Sequence, residues 1–360
     1  MMSLFQLPEP EVEINLHTFI REELSLALNK GVILKWSELQ NLLPNNSDLI
    51  VAKEYYEMLV EDSSLMTALN HLEFTECYLH EPDRIRYQAF DGSKKEVHLR
   101  VDKESWQVWL EIIAIKHLQN WNCQNPFVSF RVELNGSPYR FSLLHYKATS
   151  SPFSKLIIRN LQTSSLPLNA FGETSLNLSE LVSNKSNILI CGATGSGKTS
   201  LLNSLLKATA TEEHIVILED TQELILPHKF CTRFLAQEHP SYNLEQFLTY
   251  SLRLSPDRII LGEMRSSEVV AYLLAMNTGH SGVMSTIHAN SAVDGINRMA
   301  MMFNLYGKGL NNIEVMNMIT RNLDYIIFLK NKKIKEIIKP LGSDQGQPFY
   351  ETLFDAENFH

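Results

Sequence analysis

The segment from Gly192 to Thr199 has the residue types and the spacing of a phosphate-binding loop. Its sequence, GATGSGKT, fits the pattern G-x-x-x-x-G-K-[ST]. An apolar run at 187–191 precedes it and a leucine-rich run at 200–208 follows it, so strand, loop and helix are predicted in the order this motif requires. Glycines let backbone N–H groups turn toward phosphate oxygens, and the helix N-terminus adds a partial positive charge. The pattern predicts a triphosphate site, and the flanking elements disfavour a chance glycine-rich turn.

Two side chains of this loop have separate expected roles. Lys198 is predicted to reach the β- and γ-phosphates, and the Thr199 hydroxyl is predicted to be a ligand of Mg²⁺. The residues predicted to bind the nucleotide form one continuous run, namely Gly192, Ala193, Thr194, Gly195, Ser196, Gly197, Lys198, Thr199 and Ser200.

An apolar run that ends in an acid, Arg258 to Glu263, follows further along the chain. A carboxylate at the end of such a strand can orient and polarise the attacking water in phosphoryl transfer. Gly262 stands where many P-loop enzymes carry the aspartate that binds Mg²⁺. Glu263 is therefore predicted to serve the water, the metal or both. The alternative is a carboxylate that caps the next helix.

A second apolar run, 215–218, delivers Glu219 and Asp220, with Glu223 close behind. Neighbouring side chains of a strand point to opposite sides, so Glu219 and Asp220 can face one ligand together only if the strand has ended. At least one of these acids could hold Mg²⁺ through water or orient the nucleophile. The alternative is a set of solvated acids at a turn.

Two histidines, His280 and His288, flank the predicted strand 282–287. Imidazole can donate a hydrogen bond to a phosphate and changes its charge near neutral pH. A spacing of H-x₇-H without a third ligand is weak evidence for zinc. Taken alone, each histidine is better explained as a structural residue.

The bulk composition describes an ordinary globular protein. At 360 residues, with 44% hydrophobic and 20% charged residues, two domains with ample cores are expected. A net charge of −9 argues against strong sequence-independent binding to nucleic acid. The four cysteines form no C-x-x-C pair, which disfavours a tetracysteine zinc site and favours reduced thiols in the cytoplasm. We find no apolar run long enough to cross a bilayer, and 1–13 lacks the features of a secretory signal.

The predicted organisation has four parts: a helical N-terminal extension at 1–65, an α+β domain at 66–150, a linker at 151–175 and an α/β domain at 176–360. In the second part, Asp102 is expected to cap a helix that runs to about Gln119, and Asn135-Gly136 is expected to join two strands. In the last part, predicted strands at 187–191, 214–219, 258–262, 282–287 and 324–330 alternate with predicted helices near 198–208, 243–253, 267–277, 291–303 and 311–322. Apolar strands that alternate with helices indicate a sheet covered on both faces.

Four runs in this order, GATGSGKT, LEDTQEL, SPDRIILGEMR and NTGHSGVMSTIHAN, closely resemble the type II/type IV secretion ATPase superfamily. The resemblance covers about residues 66–340 and implies a RecA-like P-loop ATPase core with a smaller α+β N-terminal domain. It identifies the first run as the Walker A box, 219–223 as the Asp box with Glu219 as a catalytic candidate, and Glu263 as the Walker B glutamate. His280 and His288 match the His box, which is thought to couple nucleotide state to the rest of the subunit, and His288 is the catalytic candidate.

The resemblance also assigns three arginines. Arg131 and Arg140, within FRVELNGSPYR, resemble the arginine pair of the family's N-terminal domain, and Arg159, within LIIRN, resembles its linker arginine. Guanidinium groups stay charged and can stabilise the transferring phosphoryl group. The alternative for each arginine is an exposed surface cation.

The resemblance implies a homohexamer that uses ATP and Mg²⁺ and works with an inner-membrane platform protein of a pilus or secretion machine. ATP is expected rather than GTP because no N-K-x-D segment is present. The protein is expected in the cytoplasm, peripheral at the inner membrane, with no direct contact to nucleic acid. The missing tetracysteine insertion disfavours the type II secretion and pilus-extension branch. The PDRII-GE-R and AMNTGH runs resemble the Flp/Tad pilus and conjugation branches, and the helical N-terminus favours the Flp/Tad pilus motors. The alternatives are a conjugation or type IV secretion channel ATPase, a RecA-like nucleic-acid motor and an adaptor that binds ATP without turnover.

Overall fold

The computed structural model describes residues 15–45, 47–61, 69, 72–98, 103–134, 136–161, 166–174, 176–236 and 242–357. The chain divides into two compact units, Met1–Gln162 and Thr163–His360. The predicted cap Asp102, the turn residue Asn135, the N-terminal segment 1–13 and the end of the predicted strand 97–101 lie outside the described residues. The four predicted domain boundaries remain predictions.

Two helices of the first unit, Leu16–Leu28 and Leu49–Val60, begin at residues whose side chains satisfy free backbone N–H groups. Asn15 accepts a hydrogen bond from the backbone N–H of His17 at 3.1 Å, and Asp48 accepts one from Ile50 at 2.9 Å. The described helices of this unit are α1 Leu16–Leu28, α2 Trp36–Gln40, α3 Leu49–Val60 and α4 Ser105–Lys116.

An antiparallel sheet, whose strand order differs from the order along the chain, completes the described part of the first unit. Its strands are β1 Phe74–Glu81, β2 Arg84–Ala89, β3 Lys94–His98, β4 Phe127–Leu134, β5 Ser137–Leu144 and β6 Lys155–Asn160, in the order β3-β2-β1-β6-β5-β4. The strand-like run 156–159, predicted within the linker, lies in β6 and pairs with both β1 and β5. It is therefore an internal strand of the first sheet.

Helices and sheet of the first unit share one hydrophobic core. Buried residues of α1, such as Ile20 and Leu24, belong to the same cluster as Trp106 of α4 and Ile158 of β6. Trp106 is fully buried, and its indole N–H donates to the carbonyl of Ser154 at 2.8 Å. The helices that precede residue 61 therefore pack into the core of the sheet that follows them.

The second unit is built on a sheet in the order β14-β13-β12-β7-β11-β10-β8-β9. Its strands are β7 Ile188–Gly192, β8 Ile215–Glu219, β9 Cys231–Leu235, β10 Arg258–Met264, β11 Met284–Ile287, β12 Tyr325–Lys330, β13 Lys333–Asp344 and β14 Gln347–Asp355. Strands β7 to β12 pair in parallel, and β13 and β14 are antiparallel. The described helices are α5 Leu178–Ser183, α6 Lys198–Leu206, α7 Leu244–Ser251, α8 Glu268–Asn277, α9 Ala292–Tyr306 and α10 Asn312–Asn322.

Both faces of this sheet are buried, as predicted. Leu189 and Val216 join one core with residues of α8, α9 and α10, whereas Ile188 and Ile217 join another with residues of α6. Alternating strand residues thus contribute to opposite cores, which explains why the strands are continuously apolar. Strand β9 and the hairpin β13–β14 were not predicted, because their mixed polar and apolar residues show no such run. Within the described ranges, no helix combines the length and apolar character needed to cross a membrane.

Candidate active site

Four neighbouring parallel strands end at one edge of the second sheet. In register, Leu261 of β10 lies opposite Leu218 of β8 and Ser285 of β11, so these strands stop at similar heights. The carboxyl ends of parallel strands in open α/β sheets are where ligands bind. The phosphate loop, Glu219, Glu263 and His288 all lie at or directly after these ends.

The phosphate loop has a backbone that glycine alone adopts without strain. Gly192 has φ 157°, and a Cβ added there would lie 2.4 Å from Ser196 Oγ and 2.6 Å from the carbonyl oxygen of Leu329. Gly197, with φ 98°, is left-handed and begins α6. These two positions explain the glycine spacing of the motif in terms of close backbone packing and a required turn.

Lys198 is buried and folds back onto its own loop. Its Nζ donates to the carbonyl oxygens of Gly192 and Ala193, both at 3.0 Å, and lies 3.3 Å from Nδ1 of His288. Residues 193–195 form the exposed tip of the loop, and Thr199 and Ser200 are half-buried on the first turn of α6.

The loop offers hydrogen-bond donors that suit a phosphate. The hydroxyl of Ser196 is buried and makes no hydrogen bond with any described residue. The backbone at the start of α6 supplies N–H groups that a helix leaves unpaired, and Lys198 supplies a charge next to them. These donors, with the Thr199 hydroxyl at the first turn, fit a triphosphate and its Mg²⁺.

Glu263 contacts the same histidine as this lysine, and its two oxygens differ. Oε2 accepts a hydrogen bond from Arg265 Nη2 at 2.6 Å. Oε1 lies 2.7 Å from His288 Nε2, but the contact lacks hydrogen-bond alignment, and this buried oxygen has no hydrogen-bond donor among the described residues. One oxygen of Glu263 is thus held by Arg265, and the other lies against the His288 ring.

The surrounding charges keep Glu263 ionised and His288 neutral. Burial alone would raise the pKa of Glu263, but the hydrogen bond and charge of Arg265, together with His288 and Lys198, bring that pKa below its usual value. Burial and the charge of Lys198 lower the pKa of His288, with Glu263 opposing them. The His288 ring thus lies between the two groups, with Nε2 toward the Glu263 carboxylate and Nδ1 toward the Lys198 ammonium.

Glu219 is buried and serves the loop that follows it. Its Oε1 accepts hydrogen bonds from the backbone N–H groups of Glu223 at 2.8 Å and Leu224 at 2.7 Å, and its Oε2 lies 3.2 Å from Arg233 Nε. Burial raises the pKa of Glu219 to about 7, although the two N–H groups and Arg233 lower it. A Cβ at Gly262 would lie 3.1 Å from Glu219 Cγ, so the glycine leaves room for this side chain. A direct catalytic role for Glu219 remains a prediction.

Sequence reasoning missed Glu268 and Arg265. Glu268 is buried at the start of α8, accepts from the backbone N–H of Ser266 at 2.7 Å, and its other oxygen accepts from the Ser266 hydroxyl at 2.6 Å. Glu268 therefore ties the first residue of α8 to the loop before it, and Glu263, the residue for which helix capping was the alternative, is held by Arg265. The signal was a Ser-x-Glu spacing just before an apolar run. Arg265 bonds both Glu263 and Asp220, and only its place two residues after Glu263 pointed to it.

The two histidines lie at opposite ends of the parallel strand β11. His288 follows the strand and contacts Glu263 and Lys198. His280 precedes the strand, and its Nδ1 lies 3.2 Å from the carbonyl oxygen of Ala275 in α8. The structure brings His288 to the candidate site and leaves His280 at the end of a helix.

The three predicted arginines form a row across the first sheet. Arg131 pairs with Arg140, Arg140 with Arg159, and Arg159 with Glu76. Directly opposed residues share a face and lie about 4.5–5.5 Å apart at Cβ, where like charges repel. Arg131 donates to Glu133 at 3.0 Å, and Arg159 Nε lies 3.8 Å from Glu76. Such a row would be stabilised by an anion, and its contact with a nucleotide remains a prediction.

Known proteins share parts of this sequence and fold. VirB11 of Rhizobium radiobacter is 34% identical over 162 residues, which are 43% of this chain and 47% of that protein. The conjugal transfer protein TrbB of Rhizobium radiobacter is 29% identical over 230 residues, 60% of this chain and 68% of that protein. The chain thus spans about half the length of the first curated relatives it matches.

Solved structures confirm the predicted fold class. The Legionella pneumophila ATPase DotB has a TM-score of 0.60 at 17% identity, covering 82% of this chain and 81% of DotB. The pilus retraction motor PilT with bound ADP has a TM-score of 0.59 at 22% identity, covering 81% of this chain and 82% of PilT. The sequence profile described as Type II/IV secretion system protein matches residues 61–331, well over half of the chain. The chain therefore belongs to the Type II/IV secretion system protein family, as its four motifs predicted.

Proposed function

We propose that this protein hydrolyses ATP to drive a type IV secretion or pilus machine of the bacterial envelope. The observation that carries the proposal is the position of Glu263: Arg265 holds its Oε2 at 2.6 Å, and its buried Oε1 lies 2.7 Å from His288, whose other ring nitrogen contacts Lys198 of the phosphate loop. An ionised carboxylate held at a fixed place beside a phosphate site is suited to orienting a water molecule. A loop that only binds nucleotide does not require such a group.

The proposed reaction begins with a rearrangement of Lys198. On ATP binding, its ammonium group leaves the carbonyl oxygens of Gly192 and Ala193 for the β- and γ-phosphates. The N–H groups of residues 193–199 surround the same phosphates. Thr199, with Glu263 acting through water, would hold Mg²⁺, which when bound offsets negative charge on the phosphate oxygens.

Glu263 then positions the attacking water. His288 responds to the movement of Lys198 toward the phosphates. His288 touches both Glu263 and Lys198, so movement of the lysine toward phosphate removes one of its two neighbours. A side chain with contacts to both groups is well placed to transmit the nucleotide state to β11. The arginine row of the first sheet is proposed as an additional source of positive charge for the phosphates.

The names of the relatives help to choose between the machines that this protein could drive. VirB11 is named in full as a type IV secretion system protein in Bartonella henselae, and TrbB is named as a conjugal transfer protein. These names favour a conjugation or type IV secretion machine. The Flp/Tad pilus motor is the second candidate, on the strength of the helices α1 to α3 that precede the first sheet. In both cases we propose a homohexamer that docks on an inner-membrane platform protein from the cytoplasmic side.

A nucleic-acid motor is the remaining alternative for this fold. Such a motor needs a basic or aromatic groove for the strand, whereas the chain has a net charge of −9. Stimulation of ATP hydrolysis by single-stranded DNA would favour that alternative.

The decisive experiment measures steady-state phosphate release and ATP binding for Glu263→Gln. We expect the variant to bind ATP with nearly the wild-type Kd and to lose turnover by about 10²–10⁴-fold, the usual contribution of such a group. Glu351→Gln, on the exposed strand β14, is the matched control and should hydrolyse ATP normally. Wild-type turnover in Glu263→Gln would remove Glu263 from the proposed role.

Binding is tested separately with Lys198→Ala. Loss of the ammonium group should weaken ATP binding strongly, because the phosphates lose their nearest positive charge. An unchanged Kd, measured by titration calorimetry, would contradict the phosphate-loop assignment.

A further inference from the structure

Arg265 joins two acids that come from different strands. Its Nη2 donates to Oε2 of Glu263 at 2.6 Å, and its Nη1 contacts Oδ2 of Asp220. Asp220 follows the end of β8 and Arg265 follows the end of β10, which are neighbouring parallel strands. The guanidinium group therefore spans the sheet edge between the Asp box and Glu263.

This bridge fixes the orientation of Glu263. A free glutamate side chain rotates about several bonds, and holding it in one orientation costs conformational entropy. Because Arg265 holds Oε2, the carboxylate plane is set, and Oε1 faces the side on which His288 and Lys198 lie. Arg265 in turn is held by Asp220, so its own orientation does not depend on Glu263 alone.

We infer that Arg265 is a positioning residue for the proposed ATP hydrolysis and that Asp220 is its anchor. Together they keep Oε1 of Glu263 directed at the attacking water, which rests on the proposed function of Glu263. Neither Arg265 nor Asp220 needs to touch the nucleotide for this role.

The chemistry of the bridge explains why an arginine is needed. A planar guanidinium offers two parallel donors in a fixed fork and can hold two carboxylates at once. A lysine ammonium is a compact point charge that cannot reproduce this planar geometry. The side chains of Arg265 and Asp220 are 50% and 44% exposed, and exposed ion pairs contribute little to folding stability. A role in folding alone would thus leave little reason for the bridge.

The test compares Arg265→Gln, Arg265→Lys and Asp220→Asn with the wild type. Arg265→Gln should lower kcat by about 10–100-fold, because a misplaced catalytic group loses about that much, and Arg265→Lys should not restore it. Asp220→Asn should lower kcat less, because Arg265 loses its contact with Asp220 but keeps its hydrogen bond to Glu263. The Kd of a fluorescent ATP analogue and the Tm should stay close to wild type in all three. Arg321→Gln, at an exposed arginine of α10, is the matched control.

A double variant separates positioning from unrelated effects. If Asp220 acts only through Arg265, then Asp220→Asn combined with Arg265→Gln should have the kcat of Arg265→Gln alone. Multiplied losses in the double variant would overturn the anchor role. Wild-type or faster turnover in Arg265→Gln would overturn the positioning role.

Failure of this inference is distinguishable from failure of the proposed function. If Glu263→Gln is inactive and Arg265→Gln is fully active, hydrolysis by Glu263 stands and the positioning role falls. If Glu263→Gln retains full turnover, the proposed function itself falls.

Discussion

Strand β10 has an arginine near each end, and the two side chains differ in burial and in the partners they bind. Arg258, at the start of the strand, is 1% exposed and binds Glu213 through two nitrogens, at 2.5 and 3.0 Å, and the carbonyl oxygen of Val182 at 2.7 Å. Arg265, just past the end, is half-exposed and bridges Glu263 and Asp220. The amino end of the sheet uses arginine to fix structure, whereas the carboxyl end uses it to place a reactive group.

Burial explains this difference. A buried guanidinium has lost its water and depends on protein partners. Nε and Nη2 of Arg258 bind Glu213 and the carbonyl oxygen of Val182, while its buried Nη1 has no hydrogen-bond partner among the described residues. A half-exposed guanidinium keeps part of its hydration and can change partners at low cost. Arginine thus has fixed partners at one end of the strand, whereas at the other end it can exchange them.

The largest expected effect is on folding. Arg258→Gln should lower the free energy of unfolding by about 3–5 kcal/mol, because the largely buried Glu213 loses its short ion pair and keeps the more distant Lys185, 3.7 Å away. Urea denaturation followed by circular dichroism measures it. Arg265→Gln is the matched control and should change stability by about 1 kcal/mol or less.

Removing both charges sharpens this prediction. Arg258→Met combined with Glu213→Leu should recover much of the lost stability, since no unpaired charge remains. Equal stabilities of Arg258→Gln and Arg265→Gln would remove the contrast between the two ends of the strand.

A smaller loss is expected at Gly282, which packs on Arg258. Its φ is +72°, and an added Cβ would lie 2.6 Å from Arg258 Nη1. Gly282→Ala should therefore cost about 1–3 kcal/mol through backbone strain and displacement of the arginine. Thermal unfolding measures it, and Gly309→Ala, where φ is +86° but an added Cβ meets no atom within 4 Å, isolates the backbone term. Equal losses in both variants would show that contact with Arg258 is unimportant.

The smallest effect concerns pH and Glu219, a buried acid at the carboxyl end. Its folded pKa of about 7 lies above the unfolded value of about 4.3, so the folded state holds its proton over a range where the unfolded state has lost it. The stability contributed by this proton is complete below about pH 4 and is lost as pH rises through about 7.

Glu219→Gln cannot lose this proton. Its Tm should match the wild type near pH 4 and exceed it near pH 8, by an amount equivalent to about 1 kcal/mol, because the Gln carbonyl oxygen can still accept from the loop N–H groups. Thermal unfolding at a series of pH values gives the difference. A Tm difference that does not change with pH would mean that Glu219 has the same pKa in the folded and unfolded states, so that burial does not raise its pKa.

Much of the second unit could be predicted from the sequence because its signals are local. The loop 192–199 follows from glycines at required spacings, and the five predicted parallel strands follow from short, mostly apolar runs. Strand β6 was harder to place. Its run was visible, but its position between β1 and β5 depends on pairings with residues about 20 and 80 positions away, which no local pattern encodes.

The sequence by itself determined the phosphate loop, the alternation of strands and helices, and the candidate residues Lys198, Glu263 and His288, because these depend on residue type and short-range spacing. Only the tertiary structure decided what each acid contacts. Glu219 accepts from its own loop, Glu268 accepts from the loop before α8, and Glu263 is held by Arg265. The physical reason is that parallel strands bring together side chains about 45 positions apart, as in the bridge from Arg265 to Asp220, and their partners are fixed by strand order and register.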